Sequence, residues 1–261
     1  MRRSCVPAAF ALVLALSFLA AGIGPGLAHA APTTTFAEEF NGPAGAVPDR
    51  TRWAYDVGGD GWGNQELENY TRSASNASLD GDGHLVITAR QTGALSYTST
   101  RLVTRGRFAQ AYGHFEARMR MPAGAGLWPA FWLLGANCGE DTPYPRCGEI
   151  DVVENCGDPT AVSTHAHGPH LVFGHDHAVE TPTTGWHTYA VDWTPVRLSW
   201  WVDGKFVQTM TKSQARRGWV FDHPFYLIVN LAVGGDWPGA PAPTTRFPAQ
   251  LLVDEIRVTT S

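Results

Sequence analysis

Apolar and polar residues alternate along much of this chain with a period of two, which is the repeat of a half-buried β-strand. From His114 to Met121, apolar residues alternate with His, Glu and Arg side chains. Two further runs, at residues 198–202 and 206–210, flank Asp203-Gly204, a dipeptide typical of a type I′ hairpin turn. Other β-branched and aromatic runs predict strands at residues 85–88, 186–193, 225–233 and 251–259. No run shows a convincing helical period, so the chain is predicted to be all-β.

Glycine and proline separate these runs. The chain has 28 Gly and 18 Pro among its 261 residues, and frequent turns between short strands are typical of a β-sandwich. A basic start, an apolar run from Val6 to about Ala21 and the small residues around His29 are typical of a signal peptide. We therefore predict a signal peptide at residues 1–30 and one domain at residues 31–261, a length that a single all-β unit can have.

The most informative stretch is Glu149-Ile150-Asp151-Val152-Val153-Glu154, which carries three carboxylates within an apolar, β-branched run. Regular alternation places Glu149 and Asp151 on one face of a strand and Glu154 on the other. One extra residue, a β-bulge, would bring all three to the same face, and bulges are common beside active sites. Charged side chains are rarely buried without a partner, so we interpret this face as a wet cleft. In the alternative, Glu149 and Asp151 face water and Glu154 ends the strand.

Aromatic residues supply a second clue. Trp128 and Trp132 lie just before the acidic stretch, and Trp237 lies in a loop rich in Gly and Pro. An indole offers an apolar face and a polar N–H, which suits contact with a sugar ring, although core packing is the alternative for each Trp. Asn64 and Glu66, in an aromatic loop, are further candidates for the cleft or else cap that loop.

Charge limits the range of partners. The formal net charge is −5, and it becomes −7 once Arg2 and Arg3 leave with the signal peptide. A mildly acidic surface argues against nucleic acid or an anionic membrane as partner. The apolar run of the signal peptide is also shorter than the roughly 20 residues that span a bilayer. We therefore expect a secreted, extracellular protein, and a monomer.

The cysteines predict one disulfide. Cys138, Cys147 and Cys156 remain after the signal peptide, and an odd number implies one pair and one free thiol. Cys138 and Cys147 flank a polar loop and are the preferred pair. Cys147–Cys156 is the alternative, but it would have to span the acidic strand.

The acidic stretch resembles the E-x-D-x-x-E signature of glycoside hydrolase family 16 in its bulged, laminarinase-like form. Further matching segments follow in the family's order and cover nearly the whole mature chain; they are residues 39–42, 65–71, 128–135, 167–169, 201–204, 235–239 and 253–258. The resemblance implies a jelly-roll sandwich of two antiparallel sheets with an open concave substrate cleft. It also implies retaining endo-hydrolysis of β-1,3-glucans such as laminarin.

By this resemblance Glu149 is the nucleophile, Glu154 is the general acid/base and Asp151 orients Glu149. Retaining hydrolysis needs two carboxyl groups about 5–5.5 Å apart. Clustered like charges raise at least one pKa, which we expect to keep Glu154 protonated while Glu149 stays ionised. The resemblance also places His167 in the sugar-binding cleft, and no cofactor is expected for catalysis.

A structural calcium ion on the convex side is a further implication of the resemblance. Its ligands would be the side chain of Asp254 and backbone carbonyls near Glu39 and Gly83, and oxygen ligands suit this cation. The pair His165-x-His167 raises the alternative of a catalytic metal. We disfavour a metal-dependent enzyme because the carboxylates already form a complete hydrolytic set.

Two alternatives concern the substrate and the class of protein. Agarases and carrageenases share the bulged signature, and mixed-linkage β-glucan is another candidate substrate. A non-catalytic glucan-binding module is the rival class. Such modules typically lack the catalytic glutamates, whereas this chain has both.

Overall fold

The computed structural model describes residues 31–260, and the predicted signal peptide lies outside the described residues. The first nine strands are β1 (Thr34–Glu38), β2 (Ala54–Asp56), β3 (Glu68–Tyr70), β4 (Ala77–Leu79), β5 (Leu85–Gly93), β6 (Ser96–Ser99), β7 (Arg101–Val103), β8 (Gly113–Arg120) and β9 (Leu127–Gly135). The others are β10 (Glu149–Glu154), β11 (Ala161–Gly168), β12 (Leu171–Ala178), β13 (His187–Thr194), β14 (Arg197–Val202), β15 (Lys205–Thr211), β16 (Phe225–Val233) and β17 (Ala249–Thr259). Helix α1 (Lys212–Ala215) and a 3₁₀ turn (Arg216–Gly218) follow β15.

The strands form two sheets. One has the order β15-β14-β13-β8-β17-β5-β6-β3, with β1 beside β17 and β4 beside β5; the other has the order β12-β11-β10-β9-β16-β7-β2. The pairs are antiparallel except for β3 with β6. This two-sheet, nearly all-β arrangement confirms the predicted jelly-roll sandwich.

The core lies between the sheets. On β8 the inward residues Phe115, Ala117 and Met119 are fully buried, as the alternation predicts. Every residue of β16 is buried, because this strand lies inside its sheet with covered faces on both sides. Each large apolar side chain removed from water contributes about 1.5–3 kcal/mol to folding. Burial of one face of each strand in the core leaves the opposite face on the outside of the sandwich. The candidate site lies on such an outer face.

The predicted hairpin is present. Strands β14 and β15 pair on either side of Asp203 and Gly204, whose φ angles are 50° and 72°. A type I′ turn requires positive φ at both central positions, and the short polar Asp and the Gly tolerate this conformation. The turn sequence therefore sets the register of this edge of the sheet.

Several elements were absent from the sequence prediction, among them the helix and the shortest strands. Helix α1 is one turn long, too short to show a period, and begins with a capping box between Thr211 and Gln214. The strands β2, β3, β4 and β7 have three residues each and also carry no measurable alternation.

The preferred disulfide is confirmed. Cys138 and Cys147 are bonded, with Cα atoms 4.9 Å apart, and Cys156 lies outside this bond within the described residues. The bridge closes the loop that leads into β10. Between residues 31 and 260, no helix is long and apolar enough to cross a membrane.

Candidate active site

A β-bulge interrupts β10 between its two neighbours. On β9, positions 151 and 153 pair with the consecutive residues Trp132 and Phe131. On β11, positions 151 and 154 pair with His165 and Ser163, which are only two residues apart. β10 therefore carries one more residue than either neighbour in this segment. The predicted bulge is present.

The bulge brings the three acids to one side of the sheet. Glu149, Asp151 and Glu154 all line the same cleft, while Val152 and Val153 are buried in the core at 1% and 0% exposure. Two consecutive valines can face the core because the strand departs from simple alternation there. Apolar burial of the valines and exposure of the acids to the cleft thus favour the same backbone geometry.

The bulge is also held from the opposite sheet. The indole N–H of Trp200, on β14, donates a buried hydrogen bond of 2.9 Å to the main-chain oxygen of Asp151. A buried carbonyl without a partner would be costly, and an irregular strand leaves such groups unpaired. Trp200 therefore stabilises the irregular segment.

The cleft has a volume of about 670 Å³. All the cleft residues named from the sequence line it: Glu149, Asp151, Glu154, Trp128, Trp132, His167, Trp237, Asn64 and Glu66. These residues come from three strands and two loops, so the fold brings together side chains that are up to about 170 positions apart in sequence. This volume lies within the range of about 300–1,000 Å³ that is typical of ligand-binding clefts.

Glu154 has two partners in the cleft. The indole N–H of Trp128 donates a 2.9 Å hydrogen bond to Oε1, and Nδ1 of His165 lies 3.0 Å from Oε2. The residue is 9% exposed. With both oxygens engaged, the carboxyl group has a defined direction.

Glu149 and Asp151 share a different histidine. Nε2 of His167 lies 3.2 Å from Oδ2 of Asp151 and 3.7 Å from Oε1 of Glu149. The register places His167 directly opposite Glu149 on β11 and His165 directly opposite Asp151. Two imidazoles therefore face the acids of the neighbouring strand as cross-strand pairs.

Burial changes the titration of these groups. It raises the pKa of Glu149 well above its ordinary value, and the charge of Asp151 adds to this effect. Burial likewise raises the pKa of Asp151, with the charge of Glu154 as the next cause. Burial lowers the pKa of His165, but the hydrogen bond to Glu154 and the charges of Glu154 and Asp151 together outweigh burial, so the net pKa is raised.

This pattern differs from one expectation at Glu149. The sequence prediction keeps Glu154 protonated while Glu149 stays ionised, whereas in this structure the pKa values of Glu149 and Asp151 are both raised. The physical reason is burial of both carboxyl groups, and the charge of Asp151 adds to the effect at Glu149.

Indole rings form one wall of the cleft. Trp128 and Trp237 meet edge to face with ring centres 5.4 Å apart, and Trp237 is 40% exposed. Trp132 donates its N–H to Oδ1 of Asn230 at 2.8 Å. Since its N–H is satisfied within the protein, the free surface of Trp132 is its apolar ring.

Arg101 is a cleft residue that the sequence did not reveal. Its guanidinium lies between two indoles, 4.9 Å from the ring centre of Trp62 and 4.7 Å from that of Trp132. Its Nε lies 3.4 Å from a carboxylate oxygen of Asp56. A cation between two aromatic faces is attracted to both, so Arg101 holds the two rings in place.

Asn64 and Glu66 both line the cleft and brace their loop. Nδ2 of Asn64 donates to Oε1 of Glu66 at 3.1 Å, and the Tyr70 hydroxyl donates to Oε2 of Glu66 at 3.2 Å. Beneath them Glu68 is 1% exposed and accepts a 2.6 Å hydrogen bond from the backbone N–H of Val233. Burial and the nearby charge of Glu66 raise the pKa of Glu68 to about 9.

Further lining residues were not named as cleft residues from the sequence, among them Trp62, Tyr144, His165 and Val172. His165 could have been found, because it lies two positions before His167 on the same strand. Tyr144 lies in the disulfide loop and Val172 is 75% exposed on β12. No periodicity or motif marks either residue.

The residues named for calcium lie outside this cleft. The main-chain oxygen of Glu39 is 4.0 Å from where a side chain on Gly83 would begin, and Oδ1 of Asn41 is 3.7 Å from that point. The carboxylate of Asp254 is hydrogen-bonded to Arg118. Its other oxygen lies 3.9 Å from Nε2 of His84, which follows Gly83 in the chain.

Comparison with known proteins gives one consistent family. Residues 64–251 match the family described as Glycosyl hydrolases family 16. A beta-glucanase of Rhodothermus marinus is 43% identical over 229 residues, which are 81% of this chain and 80% of that protein. A beta-1,3-glucan-binding protein of Penaeus monodon is 33% identical over 175 residues, 53% of this chain and 47% of that protein.

Solved structures agree. The catalytic domain of an endo-1,3-beta-glucanase (laminarinase) from Thermotoga petrophila superposes with a TM-score of 0.82 at 38% identity. The superposition covers 88% of this chain and 98% of that domain.

Proposed function

The chain belongs to glycosyl hydrolases family 16, and we propose that it cleaves internal β-1,3-glucosidic bonds of laminarin-type β-glucans with retention of configuration. It is a glycoside hydrolase. The finer assignment rests on one observation, the bulge that directs Glu149, Asp151 and Glu154 into a cleft walled by indoles. The names of the Rhodothermus and Thermotoga relatives support β-glucan as the substrate.

In the first step Glu149 attacks the anomeric carbon as the glycosidic bond breaks. Glu154 gives its proton to the departing oxygen, and a covalent glycosyl ester of Glu149 forms. The hydrogen bond from Trp128 and the contact with His165 hold Glu154 in position for this transfer. Proton transfer by a positioned side chain accelerates such a step by about 10²–10⁴-fold.

In the second step Glu154, now a carboxylate, takes a proton from a water molecule as that water attacks the same carbon. The ester bond breaks and Glu149 leaves as a carboxylate. Two displacements at one carbon give overall retention. The cleft is not an enclosed cavity, and attack within a polymer chain needs such access.

The protonation state of Asp151 affects whether the buried Glu149 can ionise. Its charge is the largest electrostatic cause that raises the pKa of Glu149, so a proton on Asp151 removes that repulsion. We propose that Asp151 carries a proton in the resting enzyme and that Glu149 is then free to ionise. His167, close to both groups, adds an attractive charge whenever it is protonated.

Substrate contacts are assigned by chemistry. Trp128, Trp132 and Trp237 would pack against sugar rings through their apolar faces. His167, Asn64 and Glu66 would bond sugar hydroxyls. Mixed-linkage β-glucan, agarose and carrageenan are the alternative substrates, because the three acids alone do not distinguish between backbones.

The similarity to a glucan-binding protein of Penaeus monodon favours a second candidate, a non-catalytic glucan-binding module. Retention of both glutamates argues for the enzyme. Release of reducing ends from laminarin separates the two, since a binding module releases none.

The decisive experiment compares products from laminarin, mixed-linkage β-glucan, agarose and carrageenan. We expect laminarin oligosaccharides of several lengths, and proton NMR should show the β-anomer of the new reducing end first.

Glu149→Gln and Glu154→Gln should each reduce turnover at least about 10⁴-fold without unfolding. Glu140→Gln, an exposed acid in the disulfide loop, is the matched control. Turnover close to wild type in either cleft variant would contradict the assignment.

We also propose a structural calcium ion on the convex side. The donors would be the Asp254 carboxylate and the main-chain oxygens of Glu39 and Gly83, and Ca²⁺ prefers oxygen ligands. The oxygen of Glu39 lies near Gly83, and Asp254 lies near His84, the next residue in the chain. Arg118 shares the same carboxylate, so a bound ion would compete with a guanidinium. Such an ion would tie the segment after β1 to β17, and it takes no part in hydrolysis.

The proposed setting is extracellular. We propose that residues 1–30 direct export and that residues 31–261 act as a single catalytic domain and as a monomer. N-terminal sequencing of the exported protein tests the first statement, and light scattering of the purified protein tests the last.

A further inference from the structure

We propose that Asp151, His165 and His167 form an inhibitory binding site for a divalent transition-metal ion such as Zn²⁺. One ligand atom from each residue lies within 4.8 Å of the other two. This site differs from the convex calcium site in both place and chemistry. It regulates the proposed hydrolysis, although binding of the metal can be measured without any substrate.

The geometry already approaches that of a metal centre. Two ligands of a tetrahedral zinc ion lie about 3.3 Å apart when each bond is about 2.0–2.1 Å long. Nε2 of His167 is 3.2 Å from Oδ2 of Asp151. Only His165 must turn, because its Nδ1 now faces Glu154.

The backbone supports this arrangement. His165 and His167 alternate on one face of β11, and the register places them opposite Asp151 and Glu149 on β10. Facing pairs on adjacent antiparallel strands have Cβ atoms about 4.5–5.5 Å apart. The imidazoles are therefore brought to the carboxylates by strand pairing and not by a flexible loop.

A second observation points to a missing ligand. Oδ2 of Asp151 is buried and accepts no hydrogen bond from the described residues, and the residue is only 3% exposed. A buried carboxylate oxygen is normally satisfied. A metal ion bound to this oxygen would supply its partner.

The donor set selects the class of ion. Two imidazoles and one carboxylate are typical of zinc and other first-row transition metals, whereas Mg²⁺ and Ca²⁺ prefer oxygen alone. Such an ion would neutralise Asp151 and occupy the space between Glu149 and Glu154. It would thus exclude the glycosidic bond from the acids, so the bound form is inactive.

The test is isothermal titration of the purified protein with ZnCl₂ in a non-coordinating buffer. We expect one zinc ion per chain, and His165→Gln, His167→Gln and Asp151→Asn should each weaken binding by about tenfold or more. Three separate ligand variants, each checked by its thermal unfolding, keep the result interpretable if one variant fails to fold. MgCl₂ should produce no comparable heat.

The control is His177→Gln. His177 belongs to a second imidazole pair with His175, their ring centres 4.6 Å apart, and contacts the Thr164 hydroxyl. Thr164 and His165 are consecutive in a strand and point to opposite faces, so this pair is separate from the cleft. Zinc affinity and hydrolysis should be unchanged in this variant.

No zinc binding at millimolar concentration would overturn the proposal, as would equal affinity in the wild type and all three ligand variants. Loss of binding in His177→Gln alone would overturn it too. Zinc bound as expected by a protein that hydrolyses no glucan would leave this site intact and would refute the proposed function instead. Zinc bound with full hydrolysis would refute the inhibitory role.

Discussion

The indole N–H of Trp128 donates a hydrogen bond of 2.9 Å to Oε1 of Glu154, the acid that the bulge turns into the cleft. Trp128 therefore both lines the cleft and binds a catalytic carboxyl group. It fixes the direction of a carboxyl group that must meet the glycosidic oxygen.

Trp128→Phe tests this relationship, because phenylalanine keeps an aromatic ring and removes the donor. A hydrogen bond to a charged group contributes about 1.5–3 kcal/mol, so kcat/KM on laminarin should fall about 10- to 100-fold. The fall should be mainly in kcat. Trp237→Phe, at the neighbouring exposed indole, should instead change mainly KM. Equal kcat for Trp128→Phe and wild type would refute the orienting role.

Azide should separate the roles of the two glutamates. In Glu154→Ala, with an activated aryl glucoside as substrate, the ester on Glu149 still forms but no base activates water. Azide can then attack the ester and restore turnover, giving the β-glycosyl azide. In Glu149→Ala, direct attack on the substrate gives the α-azide. NMR of the products distinguishes the anomers, and the reverse pattern would exchange the assigned roles.

Arg101 stacks on the indole rings of Trp62 and Trp132 and also influences the pKa of Glu149. Its charge lowers the pKa of Glu149, so Arg101→Met should raise that pKa further. Because Glu149 must be ionised to react, the acidic limb of the pH–activity profile should move to higher pH. Loss of the cation between Trp62 and Trp132 should also raise KM.

Arg101→Lys is the control for charge. It keeps the positive charge but loses the planar group that stacks on both indoles, so KM should rise while the acidic limb remains in place. Identical pH–activity profiles for Arg101→Met and Arg101→Lys would show that the charge of Arg101 does not affect the pKa of Glu149.

Glu68 should make folding stability depend on pH. Its pKa is raised from 4.5 to about 9, chiefly by burial. The proton on Glu68 therefore stabilises the fold fully below pH 4.5, and this contribution is lost as the pH rises toward 9. The slope is at most about 1.4 kcal/mol per pH unit.

Glu68→Gln removes this dependence, because the amide stays neutral and can still donate to Glu66. Urea unfolding at several pH values between 5 and 9 should show wild-type stability falling relative to the variant. Glu140→Gln, an exposed substitution, should follow the wild type. Parallel curves for Glu68→Gln and wild type would refute the buried proton.

Calcium should raise the melting temperature and leave chemistry unchanged. A ligand present at 100 times its Kd, and bound only by the folded state, adds about 2.7 kcal/mol of stability. Tm in CaCl₂ should therefore exceed Tm in EDTA, and Asp254→Asn should lose the difference. Equal Tm values in the wild type would refute the calcium site.

The main strands and the bulge could be predicted because both are local patterns. Alternation identified β8, β-branched and aromatic content identified β16, and the parity of Glu149 and Glu154 required one extra residue between them. The preferred disulfide followed from the loop between its two cysteines. In each case the information lies within a few neighbouring residues.

Other parts of the site depend on sheet order, which the sequence does not display. Arg101 reaches the cleft because β7 pairs with β16, about 130 residues later in the chain. Glu68 looks like an ordinary surface acid in the sequence, yet tertiary packing buries it against Val233. The distribution of protons among Glu149 and Asp151 likewise depends on burial in three dimensions.

The hydrogen bond from Trp200 to the Asp151 carbonyl affects how the activity responds to heating and which residues can be changed in protein engineering. The reactive segment is anchored through the middle of the sandwich, so warming that separates the two layers should impair turnover before the strands themselves melt. Loops around the cleft can be redesigned for another polysaccharide, but an indole on the far layer must be kept.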